Sequence, residues 1–256
     1  MLNDKNQAII QPSRGRREEA LPPLAILIFT PQDVELFLRH APLLRRRPQG
    51  IYLSSLFVGP CQGIPLVVAG PMLGAPQAVL VVEKLIALGV AEIIAVGWCG
   101  SLKAHVEIGD LVLPTGAFSE EGTSAHYPIG NPQPGPSREL SSLMKEALTG
   151  RTVRVHEGPV WTTDAPFRET VAKVMKYQQT GVLAVDMEIS ALYTVAAFRK
   201  IHMAAVLVVS DDLSSLTWIH GFREPGFRQA REETIMAIMD VVVRKAGDEQ
   251  QRRNPV

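Results

Sequence analysis

Short apolar runs without alternation punctuate the chain. LAILIF (24–29), PLVVAG (65–70), EIIAVG (92–97), DLVLP (110–114), RTVRV (151–155), VLAV (182–185) and AAVLVVS (204–210) each have the length of a strand. Half-buried strands alternate apolar and polar residues, whereas strands covered on both faces do not. The pattern therefore predicts a mostly parallel or mixed sheet with helices on both sides. Between the runs the period lengthens. Residues 32–39 have helical spacing, and Val79, Val82, Leu85 and Ile86 recur at three- and four-residue steps, the stripe of a helix packed on a sheet. Gly89 then supplies a C-terminal stop. The expected architecture is α/β, a single three-layer α/β/α domain over residues 23–247.

Two of these runs end on carboxylates. VLAV leads into Asp186-Met187-Glu188 and then a helical pattern, and VLVV stops on Ser210-Asp211-Asp212. Open α/β sheets bind ligands beyond the carboxyl ends of their strands, so two such edges can converge on one small molecule. A third run ends in Gly97-Trp98-Cys99-Gly100. No G-x-G-x-x-G is present, and a Trp in that turn would block close approach of a pyrophosphate, which argues against a dinucleotide site.

Composition narrows the partners. Lys+Arg and Asp+Glu are both 26, so no global field favours nucleic acid. Only Cys61 and Cys99 occur, both in apolar surroundings, which suits an intracellular, cytoplasmic protein. The histidines are dispersed and the cysteines unpaired for zinc, so neither metal nor cofactor is expected. No apolar run is long enough for a membrane span. Residues 1–22 and 248–256 read as flexible ends, and the Pro/Gly-rich stretch 127–137 as a surface loop.

The segment PLVVAGPMLGAPQAVLVVEKLIALGVAEIIAVGWCGSL resembles the core of the nucleoside phosphorylase family, which includes uridine phosphorylase, hexameric purine nucleoside phosphorylase and methylthioadenosine nucleosidase. SEEGTSAHYP (119–128), WTTDAPFRE (161–169), VDMEISALY (185–193) and VVSDD (208–212) follow in that family's order. The resemblance covers roughly residues 24–245. It implies an α/β/α domain around a mixed, partly barrel-like sheet, no cofactor beyond phosphate as co-substrate, and a homodimer or multiple of dimers.

Cleaving an N-glycosidic bond creates an oxocarbenium-like sugar and a departing base. Glu188 suits the sugar, because one carboxylate accepts from two vicinal hydroxyls and a helix start favours its charged form. Met187 offers the sugar a polarizable surface. Both match the family's ribose-binding pair. Asp211, beside Asp212, is expected to have a carboxyl raised by like-charge repulsion, suited to protonating the base. Its partner Ser210 matches the purine-cleaving branches. Asp212 reads as a turn or cap residue, and Arg223 or Arg228 as possible supports of Asp211. For the base pocket the resemblance points to Thr163, Asp164 and Phe167. The family's aromatic stands at Pro166, so Phe167 is one place late, and a core Phe is the alternative. Trp161 and Trp218 are other possible walls. His126, with Tyr127, is placed across a dimer interface.

The acceptor site departs from the family pattern. Phosphorylases hold phosphate with a glycine- and arginine-bearing N-terminal loop, a strand arginine and a hydroxyl in the Gly-rich turn. Here the loop reads Phe29-Thr30-Pro31-Gln32-Asp33, the strand position is Ala95, and the turn is Gly97-Trp98. A dianion in a partly dry site needs cationic or multiple amide donors. Arg45, Arg46 and Arg47 fall near an arginine that family members lend to a neighbour. Asp33 falls near the carboxylate that activates water in the nucleosidases. Phosphorolysis and hydrolysis thus both stand, with a non-catalytic nucleoside-binding protein as the alternative.

Overall fold

The computed structural model describes residues 8–42, 48–131 and 133–253, with side chains to 247. Ten strands form one sheet in the order β10-β9-β6-β7-β8-β5-β1-β4-β3-β2, with β9 also paired to β5. Because β5 (Glu92–Ser101) pairs with both β8 (Ala184–Asp186) and β9 (His202–Asp212), the strands β5, β9, β6 (Leu111–Glu120), β7 (Val155–Thr163) and β8 close into a five-stranded ring. The barrel-like curl implied by the resemblance is this ring. A wing extends from β5 through β1 (Leu24–Ile28), β4 (Ile64–Gly70), β3 (Ser54–Cys61) and β2 (Gln49–Ile51), and β10 (Ile219–His220) lies antiparallel on β9.

The unalternating runs are buried on both faces, as their composition requires. Ala25 and Leu27 of β1 face one core with α2 (Gly74–Ala87) and α5 (Ile189–Arg199). Ile26 and Ile28 face a second core with α1 (Pro31–His40), α3 (Arg138–Leu148) and α6 (Pro225–Arg253). Period-two alternation within a wholly apolar strand thus feeds two helical layers. A smaller core joins Trp161, Val174, Tyr177 and Leu213 under α4 (Val171–Gln179).

Some expectations shift. Residues 151–154 are a turn rather than a strand, and β7 starts at Val155 opposite Leu111. Arg151 there donates from Nε to the Ala147 carbonyl at the end of α3 and pairs with Glu233, which holds the segment as a helix exit. Trp161 is fully buried and stacked on Tyr177, with ring centroids 4.5 Å apart, so it is core and no pocket wall. The strand β3, SSLFVGPC, carried no sequence signal because Ser, Gly and Pro interrupt it; its partner β4 supplies the order.

Candidate active site

The two carboxylate edges meet, and β5 is the reason. Gly100 is paired with Val185 of β8 on one side and Asp211 of β9 on the other. Neighbouring strands lie about 5 Å apart, so the ends of β8 and β9 face one another across roughly 10 Å. A Cβ at Gly100 would lie 2.6 Å from Leu213 Cδ1 and 3.0 Å from Asp211 Oδ2. Gly97 similarly admits the Phe29 ring, which a Cβ would meet at 2.2 Å. Glycines at these positions let side chains from neighbouring segments close over the strand. Above β5 opens a cleft of about 610 Å³ lined by Phe29, Thr30, Trp98, Cys99, Gly100, Asp186, Met187, Glu188, Ser210 and Asp211, among others.

The sugar pair predicted from sequence stands in this cleft, built by two helix starts. Asp186 Oδ1 accepts the Glu188 and Ile189 N–H groups at 3.1 and 3.2 Å, so Asp186 caps α5. Glu188 instead reaches across to α2, where Oε1 accepts the Gly74 N–H at 2.7 Å. That N–H is one of the orphan donors of a helix whose preceding residue, Leu73, offers no side-chain cap. Both carboxylates are buried, and Asp186 Oδ2 makes no hydrogen bond. Burial, then the charge of Asp186, pushes Glu188 up to about 8. Burial likewise raises Asp186 to about 7 against its hydrogen bonds. At Glu188 desolvation opposes the helix start and favours the form that keeps its proton.

At the opposite end Asp211 is dressed on both oxygens. Oδ1 accepts the Ser210 hydroxyl at 2.6 Å and Oδ2 accepts the Trp218 indole N–H at 2.9 Å. Asp212 accepts the Ser214 N–H at 2.6 Å, a turn residue as its sequence suggested. The carboxyl pushed up at this end is Glu169, to about 7, by burial and then by Asp211. Phe167 lines the cleft with its side chain 99% exposed, which removes the core alternative and leaves the ring available for stacking. Trp218, 61% exposed, is a second wall. Thr163 is buried outside the cleft lining and turns inward to accept the Ala165 N–H, while Asp164 is exposed and accepts the Gly122 N–H. Neither lines the cleft, though the charge of Asp164 contributes to raising Glu188. His126 is exposed on the 3-10 turn Ser124–His126, also outside it. Arg223 and Arg228 are exposed, and Arg46 with its two neighbours lies outside the described residues.

The acceptor region is closed by an interlocked cluster. Asp33, 1% exposed and absent from the cleft lining, accepts Arg231 Nε on Oδ1 at 2.5 Å. Its Oδ2 accepts Trp98 Nε1 at 2.5 Å and the Thr30 hydroxyl at 2.9 Å. The Arg231 guanidinium lies 5.3 Å from the Trp98 ring centre, and Phe227 meets that ring edge-on at 5.1 Å. Thr30 also caps α1, accepting the Asp33 N–H. A carboxylate holding three donors behind an indole is poorly placed to deprotonate water. Arg231, on α6, escaped sequence reasoning because 198 residues separate it from Asp33. Among the described residues, four carboxylates and no Lys, Arg or His line the cleft.

Residues 23–244 match the model of the phosphorylase superfamily, and the chain belongs to that family. Guanosine phosphorylase of Halorubrum lacusprofundi is 31% identical over 134 residues, covering 52% of this chain and 56% of that one. A DeoD-type purine nucleoside phosphorylase of Bacillus cereus is 33% identical over 143 residues, covering 55% and 61%. The chain thus spans little more than half the length of these curated relatives. Uridine phosphorylase of Vibrio fischeri ES114 superposes with a TM-score of 0.75 at 21% identity, over 88% of this chain and 93% of that one. Purine nucleoside phosphorylase of Toxoplasma gondii, in complex with immucillin-H, gives 0.79 at 19% identity, over 93% and 97%. These two likenesses show the fold.

Proposed function

We propose that this chain cleaves the N-glycosidic bond of a nucleoside with a purine-type base. The observation that carries the reading is the convergence of Met187-Glu188 and Ser210-Asp211 on one cleft through Gly100. Glu188 receives the sugar diol and becomes ionised as the hydroxyl donors arrive, with Met187 against the sugar face. Ser210, Asp211, Phe167 and Trp218 form the base end. The relatives support a nucleoside phosphorylase-like enzyme, and incubation with a nucleoside panel, scored for free base, tests it. Exposed His126 is available to a second copy of the chain, in keeping with a homodimer or multiple of dimers.

A second reading concerns the acceptor. Phosphate is a dianion, and the described lining offers it carboxylates, Trp98 and Phe29 rather than cations. Arg231, the nearby cation, is already paired with Asp33. This favours water as the nucleophile, and with it an N-ribosyl hydrolase. Asp33 then serves as the anchor of Trp98 and Arg231. Strict dependence of base release on phosphate would overturn this second reading and leave the first intact.

A further inference from the structure

The hydrogen bonds at the sugar end leave one polar atom over. Asp186 is the last residue of β8 and is buried. Its Oδ1 is committed to the Glu188 and Ile189 N–H groups, which holds the carboxyl against the first turn of α5. Its Oδ2 is buried and makes no hydrogen bond, although the side chain lines the cleft. Among the described residues it is the one such side-chain atom that belongs to the cleft lining. Leaving a buried oxygen unpaired costs stability, and a ligand hydroxyl placed against it would recover that cost. Glu188, two residues on, has meanwhile given its Oε1 to the Gly74 N–H.

We propose that Asp186 Oδ2 pairs with the sugar 2′-hydroxyl, sharing the diol with Glu188, and that this makes the site select ribonucleosides over 2′-deoxyribonucleosides. The strand register sets which hydroxyl goes to which carboxyl. Val185 pairs with Gly100, and Gly100 with Asp211 at the base end. Asp186 is the next residue after Val185, whereas Glu188 reaches away from this line to the start of α2. In a nucleoside C2′ adjoins the carbon that bears the base, and C3′ is one atom further off. Asp186 therefore meets the 2′-hydroxyl and Glu188 the 3′-hydroxyl. The pairing holds in either protonation state. An ionised Oδ2 accepts the sugar O–H, and a protonated one donates to the hydroxyl oxygen. A 2′-deoxy sugar sets a C–H against the same atom and leaves it unpaired, the situation in which a polar site discriminates most strongly.

This assignment rests on the cleft being a nucleoside site, and the test separates the two. Values of kcat/KM are measured for wild-type protein, Asp186→Ser and Asp186→Asn on a purine ribonucleoside and on its 2′-deoxy and 3′-deoxy counterparts. Serine keeps an oxygen that can cap α5 but has nothing in place of Oδ2. Wild-type protein should prefer the ribonucleoside to the 2′-deoxy compound by about tenfold to a hundredfold. Asp186→Ser should bring that ratio to within about threefold of one, while the preference over the 3′-deoxy compound stays. Asp186→Asn, which keeps the cap and the shape, should give an intermediate ratio and reports the same change if the serine variant does not fold. A wild type indifferent to the 2′-hydroxyl overturns the proposal alone. So does an equal loss on ribo and 2′-deoxy substrates in the variants, which would make Asp186 a helix cap and nothing more. Wild-type protein inert on every nucleoside overturns the nucleoside reading and this proposal together.

Discussion

Asp186 Oδ1 lies 3.1 Å from the backbone nitrogen of Glu188, so the residue that caps α5 also holds a second buried carboxyl beside it. Burial raises the cost of ionising both groups, and the charge of Asp186 adds to that of Glu188.

Glu188→Gln should therefore separate activity from stability. Loss of a charge-assisted grip on the sugar should cut kcat/KM by about a hundredfold or more. Stability should move the other way. The folded state keeps a proton on Glu188 up to about pH 8, whereas the unfolded chain releases it near 4.5, so the native protein loses stability as pH rises across that window. Asp186, raised from 3.8 to about 7, adds to the same trend. The variant should flatten the trend and be more stable above pH 8 by about 1–3 kcal/mol, with the difference vanishing below about pH 4. Thermal melts across pH check the sign.

Asp211→Asn keeps the size of the side chain but cannot deliver a proton to the departing base. Purine nucleoside cleavage should fall by about a hundredfold to ten-thousandfold, whereas substrates with an activated leaving group should lose much less. Equal losses on both kinds of substrate would make Asp211 a structural residue.

Gly100→Ala tests the junction of the two edges. The new methyl would sit against Leu213 and the Asp211 carboxylate, forcing β9 and β5 apart at the cleft floor. We expect a cost of about 1–3 kcal/mol for overpacking and a tenfold or greater loss of turnover. Unchanged melting and kinetics would mean that the two edges have room to spare.

Asp33→Ala should strip Arg231 of its buried partner and Trp98 of its acceptor. Removing one member of such a pair costs about 3–5 kcal/mol, which melting experiments resolve easily. Asp33→Asn, which retains an acceptor, separates an anchor from a base. An anchor predicts loss of stability ahead of activity, whereas a base predicts a normally folded, inactive protein.

The sequence made the layers legible because strands covered on both faces must be apolar throughout, and Ala25/Leu27 and Ile26/Ile28 bear this out on opposite cores. It also marked Glu188 and Asp211, since carboxylates at the ends of buried runs are conspicuous. It could not show that Gly100 joins them, because strand order is a tertiary property and β8 pairs antiparallel to β5 while β9 pairs parallel. Arg231 sits in a helix amid other charges, so nothing local distinguished the one that turns towards Asp33. Glu169 lies between a turn and a helix, where no periodicity operates. The burial of Glu188 was hidden for a related reason: proximity to a helix start is visible in sequence, whereas the depth of burial that opposes its charge is not.

The central claim, cleavage of a nucleoside's N-glycosidic bond in this cleft, is tested most directly by product analysis. Purified protein is incubated with purine and pyrimidine nucleosides, with and without millimolar phosphate, and free base, ribose and ribose 1-phosphate are quantified. The account predicts release of a purine base, with ribose as the companion product and a rate little changed by phosphate. Ribose 1-phosphate formed only with phosphate would contradict the choice of water, and no free base from any nucleoside under either condition would contradict the claim itself.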